Sequence, residues 1–150
     1  MRFNIDTSVF GGYFDKHFQE DTRKTFSQIE DWDIYVVISE LTARELFEAP
    51  RRVRELTQLI PKGKLDIVAI DDETMRLAER YIVEGALTKK FISDAQHIAA
   101  ATIARVDALI SWNFWHMVNF YRVRQYNSVN LKYGYPNIDI RSPREVIHEK

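Results

Sequence analysis

The stretch Ile34-Tyr35-Val36-Val37-Ile38-Ser39-Glu40 decides the fold. Five apolar or aromatic residues run without a polar break, so the strand they predict is covered on both faces. Ser39 then reads as a helix N-cap, and residues 40–48 predict a helix with Leu41 and Phe47 turned inward and Pro50 closing it. A doubly covered strand that passes straight into a helix is the unit of a parallel sheet. The same alternation extends in both directions. Upstream lie a short strand, Phe3-Asn4-Ile5-Asp6, and a helix over residues 15–29. Downstream, residues 51–60 predict a helix stopped by Pro61 and Gly63, and residues 65–70 a strand. Asp71-Asp72-Glu73 opens the next helix, where acids suit the positive end of the dipole. Met75, Ala78, Tyr81 and Ile82 give that helix its apolar face, and Gly85 ends it. Ser93 is placed to cap an alanine-rich helix over residues 94–105, and residues 108–112 predict a fourth strand. A helix near residues 121–127 and a short strand over 138–140 follow. Ser142-Pro143-Arg144-Glu145 then forms a capping box with proline at the first helical position. The fold class is α/β, an open parallel β-sheet flanked by helices, in one domain across residues 1–150.

Composition narrows the chemistry. The 150 residues hold 45% hydrophobic and 29% charged side chains, an ordinary globular mix. With no cysteine, thiolate catalysis, zinc ribbons and disulfides are excluded. Lys plus Arg is 21 against 22 Asp plus Glu, so the chain is no bulk polycation, although a local basic face remains open. No apolar run is long enough to span a membrane, and the first residues lack the pattern of a secretory leader. A cytoplasmic protein without membrane contact is expected. Neither a P-loop, a G-x-G-x-x-G turn, an H-E-x-x-H helix nor a G-x-S-x-G elbow is present.

Open parallel sheets bind ligands outside the carboxyl ends of their strands. Asp6 ends the first strand, Glu40 lies two residues past the second, Asp94 opens the alanine-rich helix, and Asn113 follows the fourth strand. Three carboxylates and an amide could meet there. Clustered carboxylates raise one another's pKa, and a hard divalent cation, Mg²⁺ or Mn²⁺, relieves the repulsion. Phosphoryl transfer is the chemistry such a site serves. Blander readings stay open beside this one. Acids at strand ends and helix starts are often caps, Ser8 is equally an N-cap, and Asn113 is equally a turn amide. His97, one turn past Asp94, reads first as a hydrogen-bonded structural histidine and otherwise as support for the site. Glu45 reads as a surface residue, His116 first as a surface residue and otherwise as an RNA or phosphate contact, and Asp107 as a partner of turn amides. For at least two of Trp112, Phe114 and Trp115, core packing is expected over base stacking. The basic runs at Arg51-Arg52-Val53-Arg54, Lys62-Gly63-Lys64, Lys89-Lys90 and Arg122-Val123-Arg124 would serve RNA only where they gather near the acids.

An ordered set of segments resembles the PIN-domain nucleases, and within them the VapC-type toxins. These are Ile5-Asp6-Thr7-Ser8-Val9-Phe10, Ile38-Ser39-Glu40-Leu41, Ser93-Asp94-Ala95-Gln96-His97-Ile98-Ala99-Ala100-Ala101, Asp107-Ala108-Leu109-Ile110-Ser111-Trp112-Asn113-Phe114 and Ile138-Asp139-Ile140-Arg141-Ser142-Pro143-Arg144-Glu145. The resemblance spans almost the whole chain. It implies a Mg²⁺- or Mn²⁺-dependent endoribonuclease that leaves 5′-phosphate and 3′-hydroxyl ends, commonly the toxin of a toxin–antitoxin pair. It places the family's acids on Asp6, Glu40 and Asp94, its hydroxyl on Thr7 or Ser8, and its fourth polar position on Asn113, where the family often has Asp. It further implies a cognate antitoxin and a homodimer. Three other outcomes remain: a PIN-like module that binds RNA or protein without cutting, a housekeeping RNA-processing nuclease, and a metal phosphohydrolase acting on small molecules.

Overall fold

A computed structural model describes residues 1–148. Five strands form one sheet: β1 (Arg2–Ile5), β2 (Tyr35–Ser39), β3 (Leu65–Val68), β4 (Ala108–Ile110) and β5 (Ile140–Arg141). Their order is β3-β2-β1-β4-β5, and every pairing is parallel. The chain winds outward from β1 to β3 on one side, then crosses back to β4 and β5 on the other. The order therefore reverses between β1 and β4, the crevice where such sheets place their ligands.

The helices are α1 (Thr7–Gly12), α2 (Gln19–Asp31), α3 (Glu40–Phe47), α4 (Arg51–Arg54), α5 (Asp72–Val83), α6 (Ile92–Ile103), α7 (Phe120–Lys132) and α8 (Pro143–Val146). The apolar run of β2 divides between two cores, as the two-residue period of a strand requires. Val37 packs with Leu77, Tyr81, Ile98, Leu109 and Tyr126 on one face. Val36 and Ile38 pack with Phe3, Ile5, Phe10, Phe26 and Ile110 on the other. β3, at the sheet edge, is only partly covered, and Ile67 is exposed.

Several local expectations are corrected. On α3 the buried residues are Thr42 and Leu46, whereas Phe47 is 76% exposed. Residues 51–60 form the short α4 and then a 3₁₀ turn over Glu55–Leu59 instead of one helix. α5 starts as expected, with the Asp71 carboxylate accepting from the Thr74 amide, but its buried face is Thr74, Leu77, Ala78 and Tyr81, leaving Met75 outward. Gly85, at φ +84°, turns the chain after α5 in a conformation that costs glycine nothing. Ser93 lies inside α6, which begins a residue earlier at Ile92. Asp107 accepts the Arg2 amide at 2.7 Å, tying β4 to the start of β1. The Ser142 capping box forms as expected.

One glycine is demanded by its neighbours. A Cβ on Gly12 would lie 2.7 Å from the Trp112 Nε1 and 2.9 Å from the Thr22 Oγ1. The indole passes over α1 at this point, donates to Thr22 Oγ1 at 2.9 Å and stacks on Phe18 with centroids 4.4 Å apart. Trp112 is therefore core, directly beneath the crevice.

Candidate functional site

Asp6 sits where β1 ends, and it caps α1. Its Oδ1 accepts from the Ser8 amide at 3.1 Å and from the Ser8 hydroxyl at 2.5 Å, and its Oδ2 accepts from the Ser111 hydroxyl at 2.7 Å. Ser8 Oγ in turn accepts the Trp112 amide, and Ser111 Oγ accepts the Asn113 amide, each at 2.9 Å. This latch ties the end of β1 to the segment after β4 across the switch point. Ser111 has no place in the predicted site, because its role depends on β4 lying beside β1, which no local pattern discloses. Asp6 is only 5% exposed, and burial pushes its carboxyl above the ordinary range. The hydroxyls of Ser8 and Ser111 and the nearby His97 pull in the other direction without overcoming burial.

A second group is built on α3 and α6. Ser39 caps α3 by accepting the Thr42 amide at 3.1 Å. Thr42 Oγ1 faces His97 Nδ1 at 3.3 Å, and His97 Nε2 faces Glu45 Oε1 at 3.0 Å. A carboxylate only accepts, so the bond to Glu45 places a hydrogen on Nε2. Glu45 is held below its ordinary range chiefly by the His97 hydrogen bond, which outweighs the cost of burial. Thr7 Oγ1 adds a weaker pull on Glu45, yet it is buried with no hydrogen-bond partner.

Glu40 does not join this group. Its Oε1 accepts the Ile70 amide at 2.7 Å, beyond the end of β3. Five residues along a helix of 3.6 residues per turn rotate a side chain by about 140°, so Glu40 and Glu45 cannot share a face. The acid on α3 that reaches the surroundings of Asp6 is Glu45, which is solvent-exposed as expected and yet bonded to a buried histidine. Thr42, Glu45 and the buried Leu46 mark the helix face toward α6. That spacing of three and four was the available signal.

Asp94 lies in the first turn of α6, and its Oδ2 meets His116 Nδ1 at 2.7 Å. His116 is not a surface residue. It is 5% exposed, its ring lies 3.9 Å from that of Phe91, and its carbonyl accepts from the Tyr126 hydroxyl. Its Nε2 is buried without a partner. Asn113 Oδ1 accepts the Trp115 amide at 3.1 Å and the His116 amide at 3.0 Å. The oxygen that would have faced a metal is committed to this turn. Phe114 and Trp115 project from it at 50% and 73% exposure, against the expectation that most of this aromatic group would be core.

The donors suit a hard divalent cation in kind. Asp6, Glu45 and Asp94 are oxygen donors at the carboxyl edge, and the unpartnered Thr7 hydroxyl lies beside them. Their arrangement is open. Among the described residues, no three His, Asp or Glu side chains are gathered closely enough to hold one ion.

No family model matches the chain, and no curated protein matches it by sequence. Its fold is nonetheless found among solved structures. A VapBC2 structure from Rickettsia felis, bound to a promoter DNA fragment, aligns over 95% of this chain and 98% of its own at a TM-score of 0.59 and 10% identity. A toxin–antitoxin complex from Klebsiella pneumoniae aligns over 75% of this chain and 88% of its own at 0.55 and 20%. VapC20 of Mycobacterium tuberculosis, described as a sarcin-ricin loop cleaving toxin, aligns over 74% and 89% at 0.57 and 11%. The chain has the PIN-domain fold of the VapC type. Among the described residues, no helix is long and apolar enough to cross a membrane.

Proposed function

We propose that this chain is an endoribonuclease, dependent on Mg²⁺ or Mn²⁺, that acts as the toxin of a toxin–antitoxin pair in the cytoplasm. The observation that carries this reading is the buried Asp6 carboxylate, held at the switch point by Ser8 and Ser111 with Glu45–His97 beside it. A carboxylate kept in such a place at a cost in solvation is of use to a cation or a polar reaction. Asp6, Glu45 and Asp94 would hold the ion, with Thr7 and Ser8 in support. When bound, it would acidify water and neutralise charge growing on the phosphate oxygens. His97 and His116 orient the outer two carboxylates, and the Ser8–Ser111 latch fixes the inner one. The likeness of fold to two toxin–antitoxin complexes and to an RNA-cleaving toxin supports the same reading. A cognate antitoxin and a homodimer belong to it.

The test is cleavage of single-stranded RNA by the purified chain with Mg²⁺, with Mn²⁺ and with EDTA. Metal-stimulated cleavage that Asp6→Asn and Asp94→Asn abolish, with both variants folded, is expected. Growth arrest on expression, relieved by the product of an adjacent small gene, separates a toxin from a housekeeping nuclease. The uncharged Asn113 and the open spacing of the acids favour one second reading, an RNA-binding module that does not cut. RNA binding that is identical with and without metal, and no cleavage in either, would establish that reading instead.

A further inference from the structure

The turn after β4 carries a feature that cleavage does not require. Asn113 Oδ1 collects two consecutive amides, those of Trp115 and His116, and so folds residues 113–116 into a tight turn. Both flanks are anchored. Trp112 is buried ahead of it, and His116 and Met117, at 5% and 1% exposure, are buried behind it. Between the anchors the Phe114 and Trp115 rings stand out at 50% and 73% exposure. The Phe114 ring leans on Trp112, with centroids 5.9 Å apart and planes at 58°. Large rings on a rigid turn are preorganised, so a flat partner loses little freedom on their account when it stacks.

What lies beside the turn indicates the partner. His116 bonds Asp94 and packs against Phe91, and the Lys90 ammonium lies 5.7 Å from that Phe91 ring. Among the four basic runs, it is Lys90 that is joined through ring contacts to the acidic edge. Exposed rings next to cationic side chains complement the two parts of a nucleotide, the base by stacking and the phosphate by charge.

We propose that Trp115, assisted by Phe114, is a stacking platform for an unpaired base of bound RNA, and that Lys90 takes the adjoining backbone phosphate. Asn113 then builds this platform instead of completing a metal rim. The inference rests on the RNA-cleaving reading above and adds a specificity-determining subsite to it.

The experiment is fluorescence anisotropy in EDTA, so that binding is read without cleavage. The probes are an unstructured oligoribonucleotide and the same strand annealed to its complement, titrated with the full-length protein. Trp115→Ala is expected to weaken single-strand binding by about tenfold or more, in line with alanine losses at other stacking sites. Duplex binding should change little, and Trp115→Phe should restore most of the loss. Lys90→Gln should weaken both probes and flatten the salt dependence. Asn113→Ala, which releases the turn, should resemble Trp115→Ala, whereas Asn113→Asp keeps the accepting oxygen and should bind nearly as the parent does. Single-strand affinity unchanged in Trp115→Ala overturns the platform, as does an equal loss on both probes. Light scattering provides a further check. If Trp115→Ala converts a dimer to a monomer with RNA affinity intact, the rings serve a second copy and the inference is wrong. Cleavage that persists in Trp115→Ala with unchanged affinity sinks the platform but not the nuclease. Stacking without any cleavage sinks the nuclease but not the platform.

Discussion

Asp6 and the Glu45–His97 pair are neighbours, yet they solve opposite problems. Asp6 is sealed, and both its oxygens accept from hydroxyls that the fold itself supplies. Glu45 is half-exposed and leans on a histidine from another helix. Burial raises the carboxyl of the first, and a partner lowers that of the second. The sealed acid is held from both sides at a cost in solvation, while the open one keeps contact with solvent and leans on one histidine. A site built this way has a buried inner donor and a solvent-facing outer one.

The largest expected effect comes from breaking the sealed side. Asp6→Asn should reduce RNA cleavage by more than about a hundredfold, beyond what loss of a merely supporting group costs. Its stability should respond in the opposite direction. Because the folded pKa of Asp6 lies above its ordinary 3.8, its contribution to stability is fully present below that value and is lost as pH rises through the folded pKa. At neutral pH the ionised group burdens the fold. Asp6→Asn should therefore melt no lower than the parent in EDTA at pH 7, and any advantage should vanish as pH falls into the carboxylate range. A variant that is inactive and markedly less stable at pH 7 would mean that Asp6 is a structural cap.

Next in size is the contrast between two acids on one helix. Glu45→Gln should lower cleavage about 10- to 100-fold, the range for groups that orient or complete a metal site. Glu40→Gln should leave cleavage within about twofold, since its carboxylate serves the Ile70 amide. The reverse result would return Glu40 to the site and remove Glu45.

That contrast also marks what the sequence could disclose. The apolar run of β2, the acids and Gly85 bounding α5, and the Ser142 capping box each express a local rule, so the parallel α/β fold was readable from them. Asp6 and Asp94 were readable as edge acids because a strand end and a helix start locate them to within a residue. Glu40 and Glu45 compete for one role because Glu40 occupies the position nearest the strand end, while helix rotation decides which acid faces inward. Ser111, the Asp94–His116 bond and the inward burial of His116 depend on β4 pairing with β1 and on α6 crossing beside it. These are contacts between segments 22 to 105 residues apart, and no local pattern encodes them. Asn113 was ambiguous for a related reason, because an amide oxygen serves a metal or a turn equally well until its neighbours are placed.

A third test leaves the chemistry alone and perturbs the support beneath the sealed acid. Gly12→Ala, at the last residue of α1, would gain less than the roughly 1 kcal/mol that the exchange is worth in a helix interior. Its Cβ would also fall 2.7 Å from the Trp112 indole, a rigid ring whose amide belongs to the Ser8 latch. Overpacking of this kind costs about 1–3 kcal/mol, so the net result should be a small loss of stability. For a chain of this size that is a fall of a few degrees in Tm, about 2–4 °C per kcal/mol. An unchanged Tm would show that the indole can move aside and that the latch is less rigid than its hydrogen bonds imply.

The smallest effect sharpens the comparison most, because the two carboxylates should answer acid with opposite signs. The folded pKa of Glu45 lies below its ordinary 4.5. Its stabilising contribution is present above 4.5 and is lost as pH falls through the folded value. Solvent screening of a side chain 43% exposed keeps that contribution below about 1 kcal/mol. Over the same acid range the protonation of Asp6 favours the fold. Between pH 3 and pH 6 (roughly the carboxylate window) the two groups therefore pull the parent's stability in opposite directions. Glu45→Gln lacks the loss that Glu45 imposes on the parent, so its stability relative to the parent should improve as pH falls. Asp6→Asn lacks the gain from Asp6 protonation and should lose ground as pH falls through the Asp6 range. Denaturant melts of both variants against the parent at several pH values measure the two slopes. Slopes of the same sign would mean that the sealed and open acids are not distinct environments.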